Sequence, residues 1–120
     1  MSADHTKQRI VFDRPLGSFP VIQHYIANMV IDIDGSRFLT YEAAWRLSEG
    51  MSCAKEIAMA KAWTSEAYRR VTASGHEIYG GIGFTVESDM HLYFRRAKAA
   101  EVTLGDANYQ RKVLAKELRK

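Results

Sequence analysis

Apolar residues recur at three- and four-residue steps from residue 19 to residue 49. Ile22, Ile26, Met29 and Ile33 set the period, and Phe38, Tyr41 and Trp45 continue the surface. That period is helical, so the pattern predicts one helix over 19–49, about 46 Å long at 1.5 Å per residue. Ser18 reads as its N-cap, with Pro20 in the first turn, where a missing N–H costs nothing. Gly35 lies mid-helix and costs about 1 kcal/mol relative to alanine. Either the helix bends there or another backbone packs close. Gly50 is a natural stop. A second helix is predicted over 53–79, with Ser52 as N-cap and Ile57, Ala60, Ala67, Val71 and Ile78 on its buried face. Ala54, Ala58, Ala60, Ala62 and Ala67 make it a helix that a neighbour can approach closely, and Gly80-Gly81 end it. A third helix over 88–103 carries Met90, Leu92, Tyr93, Phe94 and Ala97, Gly105 marks a break, and a final helix covers 106–118.

The remaining segments lack this signal. Residues 1–8 have no clear period and are expected to be disordered. Residues 10–20 hold both prolines and Gly17 and read as an extended loop. There is no strand alternation and no internal repeat. The expected fold is all-α: one domain over 1–120, an antiparallel up-and-down bundle with two long helices and two shorter C-terminal ones. Tyr25, Phe38, Tyr41, Trp45, Trp63 and Tyr68 fall on more than one side of the long helices. Some of that surface needs a further partner, so a homo-oligomer, dimer or tetramer, is expected, with Tyr41, Trp45 and Trp63 contributing.

Composition narrows the picture only a little. With 47% hydrophobic and 26% charged residues the chain is of ordinary globular type. Cys53 is the only cysteine, so no intrachain disulfide can form and a cytoplasmic setting is expected. The apolar stretches are far too short to span a membrane, and residues 1–7 lack a secretory apolar core. The net charge of +3 gathers at the end, where Arg111, Lys112, Lys116, Arg119 and Lys120 surround Glu117. Cations there complement a helix C-terminus, and no nucleic-acid motif accompanies them, so no nucleic-acid partner is expected. His5, His24, His76, His91 and Cys53 show no metal-ligand spacing, so no metal is expected. His24 and His91 read as packing or hydrogen-bonding histidines, and Arg95, Arg96 and Lys98 as a solvated or salt-bridged face.

One cluster carries candidate chemistry. Gly80-Gly81-Ile82-Gly83 follows a helix, and on its own it reads as a C-cap with a tight turn. Its surroundings add more. EIYGGIGFT over 77–85 followed by HLYFRRAK over 91–98 closely resembles the acyl-CoA dehydrogenase family, whose pattern is Q-I-(H/F)-G-G-x-G-(Y/F), an acidic residue, then a helix ending in R-D/R-A-K. Arg9, Phe12, Arg14, Pro15, Leu16, Phe19, Gln23, His24 and Met29 resemble the family's lead into the long helix of its C-terminal domain. YEAAW over 41–45 and AMAKA over 58–62 are similar to that domain's interior. The resemblance covers about residues 9–118, with separated motifs in order.

The resemblance implies a C-terminal helical bundle that builds the oligomer core of an FAD enzyme. In that family a glutamate takes the α-proton of an acyl-CoA while FAD accepts a hydride from Cβ, and FAD lies between domains and across a subunit interface. The chain is then a C-terminal portion or subunit, with the N-terminal and β-domains and the first bundle helix outside it or supplied by a partner chain. Arg9 matches an arginine near the FAD pyrophosphate, Phe12 its aromatic neighbour, and Gly80, Gly81 and Gly83 a glycine turn whose backbone N–H groups can approach phosphate. Glu77 stands at a usual glutamine and would repel a diphosphate. Asp13 replaces a glycine, and Pro20 a glutamine. Leu104 occupies the position of the catalytic glutamate in one large branch, leaving no catalytic residue there. Glu101 and Asp106 are the carboxylates nearest to it and read as exposed helix charges. The isolated chain is expected to retain no FAD and to be inactive. The alternative is a helical oligomerisation module derived from that domain, which binds neither flavin nor acyl-CoA.

Overall fold

The structure, a computed structural model, describes residues 1–119; Lys120 of the basic cluster lies outside the described residues. A short helix α1 (Ser2–Gln8) leads into strands β1 (Ile10–Val11) and β2 (Arg14–Pro15), then the long helices α2 (Pro20–Ser48) and α3 (Ala54–Tyr79), and finally α4 (Met90–Val102) and α5 (Ala107–Glu117). The expected all-α bundle is the fold observed. Helix α3 is its axis, with α2, α4 and α5 all packed against it.

The buried core is small in both number and size. Ala58, Ala60, Ala62, Ala67 and Ile78 of α3 meet Ala43, Met90, Ala97 and Ala107 from α2, α4 and α5, and among the described residues no large side chain is fully buried. Alanine at the contacts lets the helices approach closely, but it buries little apolar area. Ile57, expected in the buried face, is 46% exposed. It lies over a groove instead of in the core.

Each helix end has a local cause. Helix α2 stops at Gly50, whose φ of 67° is left-handed. The Met51 and Gly50 N–H groups return to the Arg46 and Leu47 carbonyls at 3.0 and 3.2 Å, a Schellman cap. Ser18 and Ser52 do not cap. Phe19 and Cys53 hold those positions without a side-chain bond, and the Ser18 hydroxyl donates to the Pro15 carbonyl at 2.7 Å. Asp106 does cap α5, its Oδ1 accepting from Tyr109 N at 2.8 Å.

Three features depart from the sequence-based expectation. Residues 2–8, expected to be disordered, form α1. Its Thr6 is buried, the site of a Cβ on Gly17 lies 3.1 Å from the Thr6 hydroxyl, and the His5 ring stacks on Tyr79 at 4.1 Å. Long-range packing holds this helix, which propensity alone would not. Residues 10–15 form an antiparallel hairpin, with Val11 opposite Arg14. The turn residues Phe12 and Asp13 both have positive φ, 50° and 60°, as a type I′ turn requires. At Gly35 it is a side chain, not a backbone, that packs close. A Cβ there would come within 2.8 Å of Trp63 Nε1.

Candidate functional site

The end of α3 gathers most of the residues of interest. Gly80 closes the helix at φ 60°, ψ −143°, a conformation open essentially to glycine alone. The chain then makes a 3₁₀ turn over Gly80–Phe84. Nothing lies within 4 Å of a Cβ placed on Gly80 or Gly81, so their backbone faces open space. Arg9, the C-cap of α1, comes to the same place. Together with His5, Val11, Leu16, Tyr79, Ile82 and Thr85, these residues line an open cleft of about 460 Å³.

Gly83, Phe12 and Glu77 stand apart from that cleft. Gly83 is buried, with Tyr79 Cβ 3.1 Å and His76 Cδ2 3.5 Å from where its own Cβ would sit. Its missing side chain serves packing. The buried His76 holds this turn down through ring contacts to Phe84 at 4.9 Å and Phe94 at 5.1 Å. Phe12 projects from the hairpin tip, 85% exposed, and meets Phe19 edge-on at 6.4 Å. Glu77 faces a neighbouring hollow between α2 and α3 that also holds Tyr25, Asp32, Arg69 and Arg70. The Tyr25 hydroxyl donates to the Glu77 carboxylate, and this raises the phenol above its ordinary range. Glu77 thus lies outside the lining of the Arg9 cleft.

The chemistry of the cleft fits one end of a diphosphate. A guanidinium donates paired hydrogen bonds to phosphate oxygens, and two side-chain-free backbones allow close approach. The lining contains no carboxylate. Sequence reasoning identified Arg9, Gly80 and Gly81 here but missed His5, Tyr79 and Thr85. The spacing of His5 and Arg9, one turn apart on a helix, is the available signal, and it has meaning only once 2–8 is helical.

Leu104 lies at the opposite end of α3. Its φ is 61°, its side chain is 85% exposed, and its carbonyl accepts from Gln110 Nε2 at 2.9 Å. Lys61 steadies the approach to this loop, donating to the Ala100 carbonyl at 2.7 Å and to Ser65 Oγ at 2.9 Å. Both nearby carboxylates are engaged. Glu101 pairs with Lys98 at 2.8 Å, and Asp106 caps α5. Leu104 overhangs a groove of about 570 Å³ lined by Leu47, Ile57, Ala60 and Thr64. There the Thr64 hydroxyl is buried without a hydrogen-bond partner among the described residues. Also among the described residues, no group of histidine, cysteine or carboxylate side chains could hold a metal, and no helix is long and apolar enough to cross a membrane.

These features agree with comparisons to known proteins. The profile described as "Acyl-CoA dehydrogenase, C-terminal domain" matches residues 1–119. The acyl-CoA dehydrogenase FadE27 of Mycobacterium tuberculosis is 34% identical over 98% of this chain and 34% of its own length. The bovine mitochondrial short/branched chain specific acyl-CoA dehydrogenase is 36% identical over 93% of this chain and 26% of its own. Butyryl-CoA dehydrogenase from Megasphaera elsdenii superposes with a TM-score of 0.96 at 31% identity, over 99% of this chain and 31% of that one. The ChsE4–ChsE5 complex from Mycobacterium tuberculosis gives 0.95 at 35%, over all of this chain and 33% of that one. The all-helical bundle with a glycine turn at the end of its axial helix is thus a dehydrogenase C-terminal domain, and the chain belongs to the acyl-CoA dehydrogenase family. Enzymes of this family are FAD-dependent. The chain spans about a third of the length of the relatives it matches.

Proposed function

We propose that the chain is the C-terminal portion or subunit of an FAD-dependent enzyme that dehydrogenates acyl-CoA thioesters between Cα and Cβ, and that it is inactive alone. The observation that carries this reading is the cleft where Arg9 meets the open backbones of Gly80 and Gly81. Arg9 would bind the diphosphate of FAD, and the side-chain-free backbone at Gly80 and Gly81 would let its oxygens come close, while the Gly80 N–H itself stays bonded to the His76 carbonyl. Bound FAD would supply the hydride acceptor. The base that removes the α-proton is not at Leu104, so it belongs to a part of the enzyme outside this chain.

The reading also requires more than one chain. About nineteen residues of α3 separate Lys61, beside the Leu104 loop, from Gly80, roughly 30 Å at 1.5 Å per residue. That is farther than one FAD reaches from its diphosphate to its flavin ring. The cleft and the Leu104 position, where one branch of the family has its catalytic glutamate, would then belong to different active sites, as in a homodimer or tetramer. The test is to express the chain alone and with the N-terminal and β-domains supplied in trans. Alone, it should give no acyl-CoA-dependent reduction of a dye acceptor. With those domains, it should yield a yellow complex that reduces the dye. Activity of the pure chain would overturn the proposal.

A second reading has its own observation. Leu104 and a core built mostly of alanine suit a helical oligomerisation module that binds neither flavin nor acyl-CoA. A colourless homo-oligomer that stays colourless with the other domains would favour it.

A further inference from the structure

We propose that His5 is a second, titratable ligand of the Arg9 cleft, so that binding of a diphosphate diester there takes up a proton and strengthens as pH falls. This rests on reading the cleft as a diphosphate site. Helix α1 places His5 and Arg9 one turn apart, with the Arg9 N–H bonded to the His5 carbonyl at 2.9 Å. Both side chains line the cleft beside Gly80 and Gly81. The imidazole lies flat on the Tyr79 ring, with centroids 4.1 Å apart and planes 14° from parallel. An aromatic face stabilises a cation above it, so the ring can take up a proton while stacked on Tyr79.

The charged surroundings set the direction of the coupling. From its own helix His5 faces the Arg9 guanidinium, and from α3 the Tyr79 phenol. Val11 and Leu16 on the hairpin side, and Gly80, Gly81, Ile82 and Thr85 in the glycine turn, add no charge. Asp4 of α1 is drawn to the Met1 amino group at 3.3 Å and to Lys7 at 3.9 Å. Burial, and after it the Arg9 charge, hold His5 below the ordinary histidine range. With no anion beside Arg9, His5 is therefore neutral near pH 7. An anion beside Arg9 cancels the cationic field and rewards a charge on His5. By linkage, protonation of His5 then rewards the anion by the same factor.

ADP-ribose is a suitable probe, because its diphosphate is a diester whose charge does not change across the histidine range. Binding to the full chain is followed by NMR shifts, which register weak association, at about pH 5.5 and about pH 8. The expected result is binding roughly tenfold tighter at the lower pH, with the His5 imidazole titration moving upward when the probe is added. His5→Gln should bind with the higher-pH affinity at both pH values, while Arg9→Gln should lose binding at both. If wild type and His5→Gln show the same pH profile, or if the His5 titration does not move on binding, the role of His5 is overturned and the cleft reading stands. Absence of binding by the wild type at either pH overturns the cleft reading and this inference with it.

Discussion

At Gly35 the backbone of α2 is left bare so that the Trp63 ring can lie across it. The same indole donates to the Asp32 carbonyl at 3.4 Å and lies 5.6 Å beneath the Arg70 guanidinium. Arg70 in turn grips the Asp32 carboxylate through Nε at 2.9 Å and through Nη2, which raises its already high pKa further. Four residues thus lock the crossing of the two long helices. Gly35→Ala gains about 1 kcal/mol of helix propensity but drives a methyl into a rigid ring, an overpacking that costs about 1–3 kcal/mol. The expected net effect is a loss of about 1 kcal/mol in chemical denaturation. In a Trp63→Ala background the same change should instead stabilise by about 1 kcal/mol. A destabilisation unchanged by removal of Trp63 would show that the ring is not the cause. At the hairpin tip the balance runs the other way. Asp13 sits at φ 60° where glycine is the natural residue of a type I′ turn. Asp13→Gly should stabilise by about 0.5 kcal/mol, read as an upward shift in Tm, and a downward shift would contradict the turn.

At the scale of elements, the junction between α2 and α3 is held by charge as well as by Gly50. Glu56 lies in the first turn of α3 and is buried. Its carboxylate accepts from its own backbone N–H and pairs with Lys55 and Arg46, each at 3.4 Å. The backbone bond first, and then these cations, outweigh burial and hold the acid below the ordinary glutamate range. A depressed folded-state pKa means that Glu56 stabilises the fold at neutral pH, and that this contribution is lost as pH falls through the depressed value. Between about pH 5 and about pH 3 the Tm of wild type should therefore fall more steeply than that of Glu56→Gln. Parallel curves would remove Glu56 from the acid response. The helices themselves were legible in the sequence because long apolar periods with glycine stops leave few alternatives. Their ends differ from the expected bounds by only one or two residues. Helix α1 and the hairpin were not legible. Two-residue strands are too short to alternate, Phe-Asp is not a turn dipeptide, and α1 rests on Tyr79 and Gly17, far away in sequence. The candidate site follows the same rule. The glycine turn was visible as a motif, whereas the Tyr25–Glu77 bond joins residues on different helices that no local pattern could pair.

The whole molecule is more extended and more exposed than a self-sufficient domain. Its radius of gyration is 17.3 Å and its extents are 58 × 25 × 23 Å, whereas a compact domain of this length has a radius near 14 Å. Its accessible surface is 8204 Å², against roughly 6,600 Å² for a compact monomer of 13.6 kDa. The excess of about 1,600 Å² is close to two standard interface halves of about 800 Å² each. The surface in question is apolar. Phe38, Tyr41 and Trp45 are 68%, 65% and 56% exposed on α2, with Val30 and Ile31 on the same stripe by helical spacing. Trp63, also expected at a contact, packs on Gly35 and is still 39% exposed. With a little over half of such a face apolar, covering 800 Å² is worth on the order of 10 kcal/mol before association entropy is subtracted. A second apolar region, the groove beneath Leu104, holds the Thr64 hydroxyl, which has no hydrogen-bond partner among the described residues. Two separate faces favour two kinds of contact: one between copies, closed by two-fold symmetry, and one with a different surface. Sedimentation at micromolar concentration should therefore show a dimer or tetramer. Trp45→Glu and Tyr41→Glu should shift it toward monomer while leaving the helical circular dichroism intact, since neither side chain is buried in the single chain. A soluble wild-type monomer that binds no hydrophobic dye would refute the argument, because the exposed stripe would then need no partner.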